Sequence, residues 1–465
     1  MDVRPTRVGL LPLYLALYDE VRPEARPEME QFAERVASRL EEIGLQVDSA
    51  PVSRLRTEVE GAVRTLLHQD MDCLATVHLA YSPSLEALDA LVDAGVPLVL
   101  LDTTPAPQFG EDATQADMFR NHGIHGVQDL ACMLRRRGRP YLLAVGHIDD
   151  EAFAAEVRLC ARAAHAAHAL GTMRVLVIGE DFEGMGDFAV SPEVMAAKLG
   201  IEVRRVSVGE VAQVALRVAE DEVAAERERD YADLDCSQVA PEMLDRTNRV
   251  GLAVRRIMEE GNVGAMSFNF ASFTAESGVE TVPFLEASKA MARGEGYAGE
   301  ADALTAALVG SLAQAGCRVT FTEMFCPDWA GGSVFMSHMG ECSLDLAAGP
   351  AKLVEKQYDF SEVANPAIAI PTVQPGEATL VNLAPGPGDT FDLIAARVEV
   401  LDRGPVAGFP EVPHFWIRPL DHSLPDFLRR YSELGGTHHL ALCLGDEMEL
   451  ARRMATLTGI GFHRV

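Results

Sequence analysis

The chain has 465 residues, more than one hydrophobic core normally holds, so two or three domains are expected. Its 48% hydrophobic and 24% charged residues describe a globular protein and exclude a disordered or fibrous one. A formal net charge of −30 repels polyphosphate backbones and anionic bilayers, which argues against nucleic-acid and membrane partners.

The eight cysteines lack any C-x-x-C pair and read as reduced thiols. The start of the chain shows no apolar leader and no run reaches the roughly 18–20 residues of a membrane span, so a cytoplasmic location is expected.

In chain order, the first third alternates short apolar runs with amphipathic stretches. Strands are predicted over 8–11, 46–50, 73–77, 96–101 and 141–145. Helices are predicted over 27–43, 58–68, 84–94, 115–137 and 149–170. This is the pattern of a doubly wound parallel sheet, whose ligands sit beyond the carboxyl ends of the strands. A second α/β unit opens with a strand over 174–179, followed by the loop Gly184-Met185-Gly186. The acidic stretch 208–231 reads as one solvated helix, because a charge run usually faces water. A strand over 263–268, a helix over 301–315 and a strand over 318–321 follow. Past Glu323 the texture becomes β. Strands over 378–383 and 390–400 are separated by Pro385-Gly386-Pro387-Gly388, and a helix over 425–434 precedes a strand over 440–444. The predicted architecture is α/β, with two doubly wound Rossmann-like domains, 1–172 and 173–325, and a mainly β, barrel-like C-terminal domain, 326–465.

Three clusters bring ionisable groups together with glycine or aromatic residues in apolar surroundings: 321–325 with Glu323, 337–342 with Glu341, and 435–439 with His438 and His439. Proton transfer between neighbouring carbons of a sugar requires a base and an acid, and two glutamates within apolar runs meet that need. Carboxylate and imidazole together are also the ligand chemistry of a divalent metal. Strand alternation sends His438 and His439 to opposite faces, so one of them is expected as a ligand and the other as a wall residue.

Together these segments resemble the L-arabinose isomerase family and, more loosely, the L-fucose isomerases. The resemblance rests on Gly296-Tyr297-Ala298-Gly299-Glu300-Ala301-Asp302 with Thr305-Ala306-Ala307, on Ser337-His338-Met339 to Glu341, and on Gly435-Gly436-Thr437-His438-His439. It implies an aldose–ketose isomerase acting on a pentose, hexose or deoxy sugar through an enediol. Glu323 and Glu341 would be the catalytic pair and, with His439, ligands to Mn2+ or another divalent metal. It further implies trimers or hexamers with sites between subunits. His125, with His122 beside it, would reach the sugar from a neighbouring subunit. Leu17, Tyr18, Met185 and Phe270 would line the substrate side.

Two departures stand out. Where the family has a further metal-binding histidine, this chain has Lys356 and Gln357. Gln357 offers a carbonyl oxygen to a hard cation, whereas Lys356 brings a positive charge suited to an enediolate or a substrate carboxylate. Between the two glutamates lies Cys326-Pro327-Asp328-Trp329, where Trp329 offers a flat platform to a sugar face. The missing histidine leaves two alternatives open: a noncatalytic sugar-binding or regulatory homologue, and a lyase or epimerase acting on a sugar acid.

Overall fold

The apolar run near the start of the chain forms β1 (Arg7–Leu13), the first strand of a five-stranded parallel sheet. It continues with β2 (Gln46–Ser49), β3 (Cys73–His78), β4 (Leu98–Asp102) and β5 (Leu142–Val145), in the order β2-β1-β3-β4-β5. All six residues of β3 are buried, as expected for a parallel strand covered by helices on both faces. The computed structural model describes residues 4–465; Met1, Asp2 and Val3, which head the first predicted domain and the leader-free stretch, lie outside them. The described residues form two compact units. One is Arg4–His168 with Arg452–Gly459; the other is Ala169–Ala451 with Ile460–Val465. No helix among the described residues is long and apolar enough to cross a membrane.

In the first unit, the helix expected over 115–137 is two helices, Gln115–Asn121 and Ile124–Arg136. Gly123 marks the break. A Cβ there would stand 2.2 Å from the carbonyl oxygen of His78, so the chain passes over the end of β3 only as glycine.

The second unit holds a four-stranded parallel sheet of β6 (Arg174–Ile178), β7 (Glu202–Val206), β8 (Ala265–Phe268) and β9 (Gly296–Gly299), in the order β7-β6-β8-β9. The acidic stretch expected to be one solvated helix is two helices, Val208–Ala215 and Glu220–Asp233, and the second is not wholly solvated. Glu226 and Asp230 are buried. Arg255 and Lys289 each stand 2.9 Å from Glu226, supplied by the helices Pro241–Gly261 and Phe284–Arg293. The charge pattern could not show this, because the compensating cations lie on other helices.

Beyond this sheet the chain closes an antiparallel barrel. Its strands are β10 (Val319–Asp328), β11 (Ser333–Ser337), β14 (Gly376–Gly386), β15 (Thr390–Val400), β16 (His414–Pro419) and β17 (His439–Leu444), after the small hairpin β12 (Lys352–Glu355) and β13 (Ala367–Ile370). They run β14-β17-β10-β11-β16-β15, and pairing of β14 with β15 completes the ring. β18 (Gly461–Arg464) adds to β15 in parallel. Closure leaves no long edge open to further pairing. Val334, Met336, Leu380, Ile394, Leu440 and Leu442 fill the core of this domain. The alternate residues of β10 and β17 face outward, where the helix Ala303–Gln314 packs. Both α/β sheets and the β-barrel therefore match the fold class read from the sequence.

Candidate active site

On that outward face, antiparallel pairing sets Glu323 of β10 directly opposite His439 of β17. Directly opposed residues carry their side chains on the same face. Glu323 Oε1 lies 3.1 Å from His439 Nε2, 3.5 Å from His438 Nε2 and 3.9 Å from His338 Nε2. Both histidines of the pair therefore face one site, contrary to the alternation expected. The reason is local: β17 begins at His439, so His438 belongs to the preceding turn. Its ring is turned by Asp187, whose Oδ2 accepts from the His438 backbone N–H at 2.9 Å and contacts Nδ1 at 2.6 Å.

A second carboxylate arrives from the central sheet. β9 ends at Gly299, and Glu300 and Ala301 then take φ values of +59° and +64°. Non-glycine residues hold this left-handed conformation at a cost of about 1 kcal/mol or more, and such strain clusters at functional sites. The turn brings Glu300 Oε2 to 3.7 Å from His439 Nε2. Asp302 then caps the helix Ala303–Gln314, its Oδ1 accepting from Thr305 N–H at 2.9 Å, while its Oδ2 meets His439 Nδ1 at 2.9 Å. Phe188 stacks on the His439 ring at 4.6 Å, and Phe321 meets it edge-on at 4.9 Å.

The electrostatics follow from burial and these contacts. Burial opposes charge on His439, but Asp302 and Glu323 outweigh it and push its pKa up to about 10. Burial likewise opposes charge on Glu323, yet the surrounding imidazoles hold it below the usual carboxylate value. Glu300 is pushed up, because burial dominates over its histidine neighbours.

Ligand atoms of Glu300, Glu323, His438 and His439 all lie within 4.8 Å of one another. The 3.1 Å approach of Glu323 is off hydrogen-bond alignment, so His439 Nε2 has no hydrogen-bond partner; neither has Glu300 Oε2. Buried polar atoms are seldom left this way. Two carboxylates, two imidazoles and two unpartnered atoms turned to one point fit a divalent cation.

Glu341 stands one imidazole away. Its Oε1 meets His338 Nδ1 at 2.6 Å and accepts from the Tyr297 hydroxyl at 2.6 Å, and its Oε2 accepts from Gly340 N–H at 2.5 Å. Burial opposes its charge, but His338 and these donors keep it an anion. Its side chain has no exposed surface, and it lies outside the four-residue cluster. Gln357 is exposed and also outside the cluster, with its backbone N–H donating to Glu411. Lys356 is buried; its ammonium donates to the Glu411 carbonyl at 3.1 Å, and burial lowers its pKa against the fields of Glu341 and Glu411.

The other expected residues sit apart. Trp329 is 64% exposed just past the end of β10, away from Glu323, and Met185 is half-exposed in the loop after β6. Phe270 packs against Phe182, Tyr358 and Phe360. In the first unit, Tyr18 and His122 share a 2.9 Å contact, His125 packs edge-on against Tyr81 and His122, and Leu17 is exposed. Sequence reasoning quoted Glu300, Asp302 and His338 within its motifs but gave them no role, and it passed over Asp187. The usable signal for the first two was their position just after a strand of a parallel sheet.

Comparison with known proteins bears on the same segments. The family model described as the L-arabinose isomerase central domain matches residues 185–316, and the one described as the L-arabinose isomerase C-terminal domain matches 318–461, together more than half of the chain. The L-arabinose isomerase of a Nocardioides species is 26% identical, covering 92% of this chain and 88% of the relative. That of Aeromonas salmonicida is 24% identical, with coverages of 92% and 89%. On these matches, the chain belongs to the L-arabinose isomerase family.

Proposed function

We propose that this protein interconverts an aldose and a ketose, with Glu323 and Glu341 sharing the proton transfers. Family membership supports the reaction class. The observation that carries the site is Glu323 opposite His439, with Glu300 Oε2 and His439 Nε2 unpartnered beside it. Glu300, Glu323, His438 and His439 would hold a divalent cation such as manganese, which when bound polarises the sugar carbonyl and offsets the negative charge developing on its oxygens. Glu300 and His438 supply ligand atoms where the usual histidine is replaced by Gln357, which weighs against a homologue that has lost its metal.

Glu323, held as a carboxylate, takes the proton from C2 of the aldose as the C1–C2 double bond forms, and O1 gains a proton to give an enediol. It then returns a proton to C1 while O2 loses its own and becomes the ketone oxygen. Glu341 has no exposed surface, so its share of the oxygen-to-oxygen transfer runs through His338, which it holds at 2.6 Å. Phe188 and Phe321 wall the His439 side against water. Of the substrate-side residues expected in this subunit, His438 stands at the cation cluster, whereas Trp329, Met185, Phe270 and Lys356 sit apart from it and are given no contact with C1 or C2. Leu17, Tyr18, His122 and His125 complete the site from a neighbour in a trimer or hexamer.

The test is incubation with pentoses, hexoses and deoxy sugars in deuterium oxide with manganese. Deuterium should appear at C1 or C2 of at least one sugar, and Glu323→Gln and Glu341→Gln should each slow its entry by about 100-fold or more. No exchange with any sugar, or a fully active Glu341→Gln, would overturn the assignment.

A further inference from the structure

We propose that Asp302 is a positioning residue that holds a proton on His439 Nδ1, so that Nε2 is the nitrogen offered to a cation at the cluster. The inference rests on the metal site proposed above. Asp302 and His439 both have fully buried side chains, with Oδ2 2.9 Å from Nδ1. The carboxylate cannot rotate freely, because its other oxygen is held by Thr305 N–H at the start of a twelve-residue helix. The ring cannot rotate freely either. Phe188 lies flat on it and Phe321 closes its edge, while Asn382, donating to the His439 carbonyl at 2.8 Å, fixes the backbone that carries it.

An ionised carboxylate only accepts, so the contact at Nδ1 requires the imidazole proton there. With that proton held at Nδ1, the nitrogen a cation can claim by displacing a proton is Nε2. It points, buried and without a hydrogen-bond partner, between Glu300 and Glu323. A carboxylate behind a metal-binding imidazole both orients the ring and raises its basicity, and its loss typically weakens metal binding 10- to 100-fold. One aspartate thus ties the start of the helix Ala303–Gln314 to a ligand on β17.

Asp302→Asn separates the two roles. The asparagine carbonyl keeps the helix cap. Its amide nitrogen now faces Nδ1 and donates, driving the imidazole proton to Nε2. Two measurements follow on the full chain: free Mn2+ by electron paramagnetic resonance during titration, and the nitrogen-15 shifts of labelled His439. Asp302→Asn should bind Mn2+ about 10- to 100-fold more weakly and show the Nε2–H tautomer, with its far-ultraviolet circular dichroism unchanged. Wild-type affinity with the Nδ1–H tautomer retained would overturn the inference. If wild type itself binds no Mn2+, the metal assignment of the preceding section fails, and the nitrogen shifts still decide the role of Asp302. Should Asp302→Asn fail to fold, Asp302→Ser keeps a capping oxygen but is too short for His439. Weaker Mn2+ binding by it supports the proposal, and unchanged binding overturns it.

Discussion

Glu323, Glu341 and His439 were selected by the family resemblance of their segments, since an ionisable group in an apolar run is a weak signal by itself. Glu300 and His338 lie in the same quoted segments but received no role, because what distinguishes them is how closely another chain segment approaches. Gly299 makes this concrete. A Cβ on it would fall 2.5 Å from His338 Cε1, and the ring is already held by Glu341 and packed against Phe321. Gly299→Ala should therefore push His338 off its line to Glu323. Overpacking of this kind costs about 1–3 kcal/mol. The expected result is a lower melting temperature and a reduced turnover number. A Gly299→Ala protein as stable and active as wild type would mean that the ring has room to spare.

Elements with strong periodicity were read well, and those defined by partners were not. Strand β15 (Thr390–Val400) was predicted residue for residue, because alternating apolar positions between Pro-Gly turns specify a hairpin strand. β10 was expected to stop near residue 321 but continues to Asp328, carried by its pairing with β11 through a bulge at Met324/Cys326. The helix Glu220–Asp233 gives the sharpest contrast, since its sequence advertises solvent and its structure buries Glu226 among cations. Burial opposes charge there, but Arg255 and Lys289 outweigh it, and the Glu226 carboxyl is held well below its usual value. A depressed carboxyl stabilises the fold above the unfolded value near 4.3, and that contribution is lost as pH falls through the folded value. Asp230 moves the opposite way, because burial raises its carboxyl. Glu226 is therefore best isolated by difference. Glu226→Gln should be less stable than wild type by about 3–5 kcal/mol at pH 7, since removing one partner strands buried cations. The gap in urea-unfolding free energy should narrow steadily below about pH 4.5. A gap independent of pH would show that the loss comes from packing and not from ionisation.

For the whole molecule, composition was informative about class and silent about convergence. The alternation of apolar runs and amphipathic helices announces doubly wound sheets, and the Pro-Gly-rich tail announces a barrel. No count of residues could place Glu300 beside His439. Composition does make one further claim. The 70 acidic side chains exceed the 40 basic ones, and many of the basic ones are already engaged in surface pairs such as Arg174–Glu202 and Arg418–Glu399. Each exposed pair contributes about 0–1 kcal/mol and weakens with salt, whereas the surplus of negative charge repels itself throughout the folded surface. The screening length shortens from about 30 Å at 10 mM to about 8 Å at 150 mM ionic strength. Over that range the long-range repulsion among surplus carboxylates fades, while pairs in direct contact lose less. Added sodium chloride should therefore raise the melting temperature by a few degrees, and a monovalent salt does this without supplying a divalent ion to the cluster at Glu300 and Glu323. A melting temperature that falls over the same range would mean that the surface pairs outweigh the surplus charge.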